Sequence, residues 1–290
     1  MNTITDPKKY SGRWFTPDDI EQIKQIISDN PKAHRAALSR LVCQAFNWKK
    51  INGGLKEMSC RVAMLAMFRD NIIRLPEPLC KKHPSQINKK RTPQGEPGKD
   101  IHCAITELNH LQFQVVDQTN SALWNELIDR YHYLGYTPLS GAQIRYFVYA
   151  NNQPVALISF GASAWTTAPR DKFIGWTPSQ RESRLHYVIN NARFLILPWI
   201  RVPHLASKLL SMVAKRVQTD WFERYHYQPV LLETFVEIKR FKGTCYKAAN
   251  WECVGTTTGR GKKGNNKADI GIKSIWIYPL TRHYKKILCQ

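Results

Sequence analysis

Residues 230–236 read Val-Leu-Leu-Glu-Thr-Phe-Val, and only Glu233 and Thr234 in this run are polar. An apolar run of this length is typical of a strand that is buried on both sides of a sheet. Residues 192–197 form a second apolar strand, and residues 205–217 have helical periodicity between the two. This order predicts the centre of a mixed sheet with helices packed on it.

Elements on both sides extend this sheet. Residues 144–149 and 155–160 flank an Asn-Asn-Gln-Pro turn, which predicts an antiparallel hairpin. Periodicity also predicts a helix at 121–131, a helical turn at 246–250, and strands at 252–255 and 274–278. The chain from 101 to 290 is therefore predicted to be one α+β domain.

The order of these elements resembles the GNAT acyltransferase fold. In that family a loop of the form Arg/Gln-x-x-Gly-x-Gly/Ala opens a helix and holds the phosphates of the cofactor with backbone N–H groups. Residues 201–206 stand in that place; Arg201 and Ala206 fit the pattern, whereas His204 replaces its central glycine. Pro203 also lacks an N–H group. We therefore expect a GNAT-like domain with a degenerate phosphate loop, and the cofactor stays unknown.

The N-terminal residues predict a separate helical module over 1–80. Thr16-Pro17-Asp18-Asp19 is a helix start, with a capping residue followed by proline and two acids. Further helices are predicted at 33–46 and 59–70, the last with Val62, Leu65 and Ala66 inward, and a strand at 72–76. Three helices and a strand favour a winged helix-turn-helix that binds DNA.

In that module the third helix would enter the major groove. The cations expected to meet phosphates or bases are Lys56, Arg61 and Arg69. The alternative is a small helical docking domain with the same pattern. Residues 81–100, rich in proline and glycine, are predicted to be a basic linker, in which Lys89, Lys90 and Arg91 could follow a DNA backbone.

A second resemblance covers nearly the whole chain. Its motifs are Ser39-Arg40-Leu41-Val42-Cys43, Ser59-Cys60-Arg61, Tyr133-Leu134-Gly135, the run from Arg193 to Trp199, Glu233-Thr234-Phe235-Val236, Gly243-Thr244-Cys245-Tyr246, Ala249-Asn250-Trp251 and Gly259-Arg260-Gly261. Together they resemble the family of protein A of the Druantia anti-phage system, which also occurs in proteins labelled as transposases. The resemblance implies a DNA-associated role in bacterial phage defence or in a mobile element, with other defence proteins as further candidate partners.

Glu233 is the first candidate for a catalytic role. A carboxylate in a buried strand needs a partner or a raised pKa, and a raised pKa suits general acid–base chemistry. The structural alternative is an ion pair with Arg193 on the neighbouring strand. Glu237 and Lys239 follow in a Glu-x-Lys pattern that is typical of magnesium-dependent nucleases, with Glu233 as the second acid.

Tyr246 lies close to the end of the same strand. It would act as a general acid in a GNAT-type enzyme or as the nucleophile in a strand-cleaving enzyme. The structural alternative is a core tyrosine with an ordinary hydrogen bond.

Aromatic and basic residues of the second domain point to nucleic acid. Tyr133, Tyr136 and Trp165 lie in turn-like segments and are candidates for stacking on bases. A glycine-rich loop supplies four cations suited to phosphates: Arg260, Lys262, Lys263 and Lys267.

The overall charge supports the same partner. The 290 residues include 43 Lys and Arg against 22 Asp and Glu, a formal net charge of +21. Solubility alone needs only about 2–8 charges in a small domain, so the excess predicts a polyanion, with DNA the leading partner. We see no membrane-spanning run, signal peptide or cysteine spacing of a zinc site, and expect a cytoplasmic protein without a metal site.

Three functions therefore stay open. The first is a DNA-binding protein whose GNAT-like domain acts on DNA, for example by modifying a base. The second is a strand-cleaving enzyme, and the third is a catalytically silent adaptor that recognises DNA.

Overall fold

The computed structural model describes residues 5–79, 91–108, 110–259 and 271–290. The chain divides into two compact units, Met1–Ile87 and Asn88–Gln290. None of the helices in these described ranges is both long and apolar enough to span a membrane. Each unit has its own core and is considered separately below.

The first unit combines a short hairpin with three helices. Its elements are β1 (Lys8–Tyr10), β2 (Arg13–Phe15), α1 (Pro17–Asp29), α2 (Arg35–Ala45) and α3 (Glu57–Arg69). Thr16 caps α1 in a capping box with Asp19, as the sequence predicted. Phe15 from the hairpin, Ile23, Leu38 and Met67 meet in the core of the unit.

Two expectations for this unit are wrong. Residues 72–76 form no strand, because Ile72 and Ile73 are both buried, whereas an edge strand would alternate them between core and solvent. The wing expected after α3 is therefore missing from residues 72–76. The buried face of α3 is also rotated: Cys60, Met64 and Met67 point inward, and Val62 is 56% exposed.

The second unit is built on a seven-stranded sheet. The strands of the whole unit are β3 (Ile101–His102), β4 (Gln112–Val115), β5 (Gln143–Ala150), β6 (Gln153–Ala162), β7 (Val188–Ile196), β8 (Ile200–Arg201), β9 (Leu231–Glu237), β10 (Glu252–Thr256) and β11 (Lys273–Pro279). The order in the large sheet is β10-β11-β9-β7-β6-β5-β4, and β3 pairs separately with β8. The predicted α+β class with a large mixed sheet is confirmed.

Helices cover this sheet. They are α4 (Ser121–Tyr131), α5 (Ala168–Ile174), α6 (Pro178–Arg184), α7 (Leu205–Tyr225), α8 (Thr244–Ala248) and α9 (Tyr284–Leu288). The main core includes Trp124 from α4, Phe147 and Leu157 from the hairpin, and Val213 and Trp221 from α7. The long apolar side of α7 therefore packs on the centre of the sheet, where the sequence predicted a helix.

One pair of strands departs from the rest of the sheet. All neighbours in the large sheet are antiparallel except β7 and β9, which are parallel. These two strands pair only from Val188 with Leu231 to Asn190 with Glu233. Beyond these residues they part, and the gap between them is the position of the candidate site.

Residues 91–100, which the sequence placed in a linker, belong to the second unit and pack against α4. Thr92 donates its backbone N–H and its hydroxyl to Glu126, at 2.7 and 2.8 Å. Arg130 is paired with Glu126 and Glu96, and Gly95 is buried. Proline and glycine in this stretch form a 3-10 turn rather than a free chain, because carboxylates of the unit satisfy its backbone groups.

Candidate functional site

A cavity of about 410 Å³ fills the gap between β7 and β9. Its walls come from both strands, from the segment after α4 and from the start of α8. Gly243 begins α8 with φ +71°, and a Cβ there would lie 2.5 Å from the ring of Trp276. Only glycine allows α8 to start this close to β11, and α8 then carries Tyr246 into the cavity.

Asn191 organises the polar part of this cavity. The Tyr246 hydroxyl donates to Asn191 Oδ1 at 2.8 Å, and the Thr234 hydroxyl donates to the backbone oxygen of Asn191 at 3.0 Å. The Asn191 amide donates in turn to the Ser159 carbonyl. Burial raises the pKa of Tyr246, so its hydroxyl stays protonated at neutral pH. Tyr246 thus makes the buried hydrogen bond that its structural alternative predicted.

His132 contributes a neutral imidazole to the same cavity. Burial, with a smaller contribution from the charge of Arg193, lowers the pKa of His132 to about 4. Its Nδ1 accepts the Leu134 N–H at 3.2 Å, which leaves the hydrogen of the neutral ring on Nε2. The ring stacks on Tyr133, with 4.8 Å between centroids. His132 is therefore a fixed hydrogen-bond donor at neutral pH.

A second cavity, of about 330 Å³, adjoins the first. Both are lined by Leu134, Asn191, Ala192 and Phe235. The second cavity is also lined by Asn190, Arg193, Thr257 and Lys273. It therefore combines apolar walls with an amide and two cations.

A β-bulge in β7 shapes this second cavity. Asn191 pairs with Phe160 and Arg193 pairs with Ser159, so Ala192 is one extra residue in the strand. Asn190 and Arg193, three residues apart, consequently face the same side of the sheet. Asn190 Oδ1 and Arg193 Nε are both buried, and no group within the described ranges gives either of them a hydrogen bond.

Glu233 is fully buried and paired with a different arginine from the one expected. Arg170 Nη1 donates to Glu233 Oε2 at 3.0 Å, and both side chains have 0% exposure. The sequence suggested Arg193, but the Arg193 guanidinium turns to the carbonyl of Ala192 at 2.8 Å. Arg170 is carried by α5, the helix that follows β6 in the chain. Glu233 is closed to solvent and to substrate.

Glu237 and Lys239 do not form a metal site with Glu233. Glu233 and Glu237 both lie in the regular strand β9, which places them about 13 Å apart at roughly 3.3 Å per residue. Two carboxylates that share a metal ion need to approach it to about 2–2.6 Å. Glu237 faces Arg240 at 3.6 Å instead, and Lys239 is exposed just after β9. The geometry required by the nuclease hypothesis is therefore absent from β9.

The three stacking candidates differ in exposure. Trp165 is 57% exposed and Tyr133 is 38% exposed, whereas Tyr136 is half-buried against the main core. The Tyr133 ring is held by Phe241 at 5.4 Å and by the Arg240 guanidinium at 5.2 Å. Trp165 is therefore the most accessible of the three to a planar ligand, whereas the Tyr133 ring already contacts His132, Phe241 and Arg240.

The basic candidates fall into three groups. Lys56, Arg61 and Arg69 are exposed around α3. Arg91 is paired with Asp129 at 3.0 Å, so it fastens its segment to α4. The remaining cations proposed from the sequence lie outside the described residues: Lys89, Lys90, Arg260, Lys262, Lys263 and Lys267.

The degenerate phosphate loop has a distinctive backbone. Arg201 is exposed in β8, His204 immediately precedes α7, and Ala206 lies in the first turn of α7. His204 has φ +65°, in the left-handed region that favours glycine. The backbone conformation that suits the glycine of the pattern is thus present, with histidine at that position.

A family model described as Druantia protein DruA matches residues 66–269 of this chain. The chain belongs to the DruA family. The match starts inside α3 and spans most of the second unit, including every lining residue of the first cavity and all of the second cavity's lining except Lys273. The family predicted from the sequence motifs is confirmed. No curated protein matches this chain significantly.

Several solved acetyltransferase structures are similar to this DruA chain. Each of the following three covers 59% of it. An aminoglycoside acetyltransferase AAC(6')-Ib in complex with coenzyme A and kanamycin has 12% identity over 95% of its own length, with a TM-score of 0.38. A probable acetyltransferase from Staphylococcus epidermidis has 10% identity over 100% of its length, with a TM-score of 0.40. A GNAT-family acetyltransferase from Streptococcus pneumoniae has 10% identity over 100% of its length, with a TM-score of 0.39.

Sequence reasoning missed three residues of the DruA site. They are His132, Asn190 and Asn191. The two asparagines stand in the apolar run Val188-Ile189-Asn190-Asn191-Ala192, where a buried amide costs free energy unless it is hydrogen-bonded. The two asparagines in this apolar run were therefore a signal, visible in the sequence, of a polar site in the sheet. His132 carried no comparable signal, because its burial depends on the fold.

Proposed function

We propose that this protein binds DNA in a bacterial anti-phage system, and that its second unit takes one unpaired nucleobase into the cavity beside Asn190 and Arg193. The observation that carries the proposal is the pair of unsatisfied atoms there. Asn190 Oδ1 is a hydrogen-bond acceptor, Arg193 Nε is a donor, and both are buried without partners among the described residues. A buried polar group without a partner costs about 1–3 kcal/mol, which a ligand with the complementary groups would recover.

A nucleobase supplies those complementary groups. Adenine and cytosine each carry an amino donor next to a ring-nitrogen acceptor, which matches one acceptor and one donor on the protein. Phe235 and Leu134 give the apolar walls that a flat ring needs, and Lys273 gives a charge suited to a phosphate. The cavity therefore favours an amino-bearing base that has left the duplex.

The charge of the second unit supports the same partner. From residue 88 to 290 the sequence has 28 Lys and Arg against 14 Asp and Glu. Seven of those acids are in ion pairs with arginines of the same unit: Glu96, Glu126, Asp129, Asp171, Asp220, Glu233 and Glu237. Few acids are left to offset the surface cations, so the unit attracts a polyanion.

The first unit would supply a second DNA contact. Lys56, Arg61 and Arg69 flank or lie on α3 and are exposed. In this proposal α3 lies in a groove of the duplex, and these cations hold the phosphates beside it.

Modification of the captured base is the reaction that the two adjoining cavities favour. One cavity would hold the base, and the other, lined by Tyr246 and His132, has room for a donor group. A second candidate function is recognition without chemistry. His204 and Pro203 favour that candidate, because they obstruct the place where the phosphates of a nucleotide-type donor would bind.

The proposal is tested with DNA duplexes that carry a single unpaired adenine. We expect the protein to bind them more tightly than a fully paired duplex in a fluorescence anisotropy titration. Arg193→Gln and Asn190→Leu should remove this preference, whereas Arg282→Gln, a change at an exposed arginine of the same unit, should keep it. Equal affinity for paired and unpaired DNA would overturn the proposal. Nucleoside masses after incubation then separate modification from recognition alone.

A further inference from the structure

Trp165 is presented by a short loop that is fixed from inside the protein. The loop joins β6 to α5, and its tryptophan side chain is 57% exposed. Among the described large apolar side chains of the second unit, none is more exposed. An indole at the surface presents a flat apolar face on which another ring can stack.

The backbone on both sides of Trp165 is anchored by buried charges. The N–H of Ala164 donates to Glu233 Oε1 at 3.2 Å, and the carbonyl of Ala164 accepts from Arg170 Nη1 at 2.8 Å. The N–H of Thr167 donates to Asp171 Oδ2 at 3.2 Å. Surface loops are ordinarily mobile, but this one is held one residue before and two residues after its tryptophan.

The anchoring charges form one network. Arg170 is fully buried and bonds to Glu233 and Asp171, with two of its nitrogens on Asp171 Oδ1 at 3.0 and 2.8 Å. Trp176 donates to the same oxygen at 3.0 Å. Asp171 is also paired with Arg181 at 3.3 Å, so two cations balance two acids, which is the condition under which buried ions are tolerated.

The network also lies beside the second cavity. Glu233 pairs in register with Asn190, whose Oδ1 is buried and has no hydrogen-bond partner within the described ranges. Gly161, close to the start of the loop, is the register partner of Asn190 on the other side. The tryptophan loop therefore starts from the strand that borders the proposed base pocket.

We propose that Trp165 is a preorganised stacking platform for an unpaired nucleobase, and that Glu233 and Arg170 are its positioning residues. The inference rests on the proposed function. Base–aromatic stacking tolerates any base, and an indole that is fixed before binding loses less conformational freedom on binding. On this account the buried carboxylate of β9 serves DNA recognition through the loop, without touching the DNA.

The first test uses Trp165→Ala and Trp165→Phe on the full chain, with Phe222→Ala as the matched control. Phe222 is a 48% exposed aromatic residue of the same unit. The probes are a fully paired duplex and the same duplex with one unpaired 2-aminopurine. We expect Trp165→Ala to weaken binding to the unpaired probe by about 5- to 100-fold. Trp165→Phe should restore most of the loss, and paired-duplex affinity should stay within about twofold.

The outcomes separate the two proposals. If the wild-type protein binds neither probe, the proposed function fails. If it prefers the unpaired probe and Trp165→Ala behaves like Phe222→Ala, the platform is overturned while the proposed function stands.

A second measurement tests the positioning residues. With 5-fluorotryptophan incorporated, the Trp165 resonance is identified by its loss in Trp165→Phe. We expect Glu233→Gln both to narrow this resonance and to weaken binding to the unpaired probe. If Glu233→Gln does not fold, Asp171→Asn is used in its place with the same expected result. An unchanged linewidth and affinity in a folded variant would overturn the positioning role.

Discussion

Arg170 Nη1 lies 3.0 Å from Glu233 Oε2, and neither side chain has any exposed surface. The pair explains how a carboxylate is accommodated in the buried strand β9. Arg170 also binds Asp171, which is paired in turn with Arg181, so the network balances two cations with two acids. The role of Glu233 is consequently to hold other groups in place, and its chemistry toward a substrate is blocked by burial.

Breaking this pair should cost stability. Glu233→Gln leaves part of the Arg170 charge unmatched in the core, and such a loss costs about 3–5 kcal/mol. For a unit of this size that corresponds to a fall of roughly 10 °C in Tm, measured by calorimetry. Glu237→Gln removes the same charge at the end of β9, where Glu237 meets Arg240 at 3.6 Å, and serves as the control. Equal Tm values for the two variants would contradict the pairing.

The stability of the second unit should depend on His132 below neutral pH. The pKa of His132 is lowered to about 4 in the folded protein, from an ordinary value of 6.5. Between these values the unfolded chain binds the proton more readily, so stability falls as the pH drops from about 6.5 to 4. His132→Gln should lose this part of the pH dependence. Since the ring is partly exposed, we expect only about 1 kcal/mol, or 2–4 °C in Tm.

The measurement for His132 is the difference in Tm between wild type and variant at pH 7.5 and pH 4.5. His226→Gln is a control at another histidine of the same unit. If the Tm values of the wild-type protein and the His132→Gln variant differ by the same amount at both pH values, the result would argue against a neutral His132 in the folded protein.

DNA binding should weaken steeply with salt. Each phosphate that the protein neutralises adds about −0.9 to the slope of log K against log salt concentration. Arg61→Ala on α3 should reduce the magnitude of the slope by about 1, because it removes one exposed cation. Lys32→Ala, between α1 and α2, is the matched control. A flat salt response of the wild-type protein would exclude electrostatic binding to DNA.

Acetyl-CoA should not bind tightly. His204 occupies the left-handed position where the phosphate loop of the GNAT pattern has glycine, and Pro203 lacks an N–H donor. We expect no heat of binding for acetyl-CoA at micromolar concentrations in isothermal titration calorimetry. His204→Gly fits the same φ without strain and is the natural companion variant. Micromolar affinity of the wild-type protein would show that the loop is functional.

Local signals in the sequence predicted much of the fold. The capping residues at Thr16 placed the start of α1, and the apolar period of 121–131 matches α4 at both ends. The strand predicted at 72–76 is absent, because Ile72 and Ile73 are both buried in the tertiary core, which the local sequence does not show. The short helices α5 and α6 carry too few apolar residues to show a period, and they were not predicted.

The candidate site was harder to predict than the fold. Residue type alone identified Glu233, Tyr246 and the exposed Trp165. The partner of Glu233 could not be found, because Arg170 lies 63 residues away in the chain and only the fold brings the two together. The pocket beside Asn190 and Arg193 depends on an extra residue in a strand, a register change that no pattern of hydrophobicity reveals.

The bulge at Ala192 constrains how this gene can vary. Residues 189–191 and residues 193–196 of β7 both pair with β6, in registers that differ by one residue, and Ala192 lies where the register changes. Substitutions at Ala192 leave this change of register in place. Deletion of its codon would remove the register change and move Asn190 and Arg193 to opposite faces of the sheet. Lineages of this protein should therefore tolerate substitutions at this position far better than deletions or insertions.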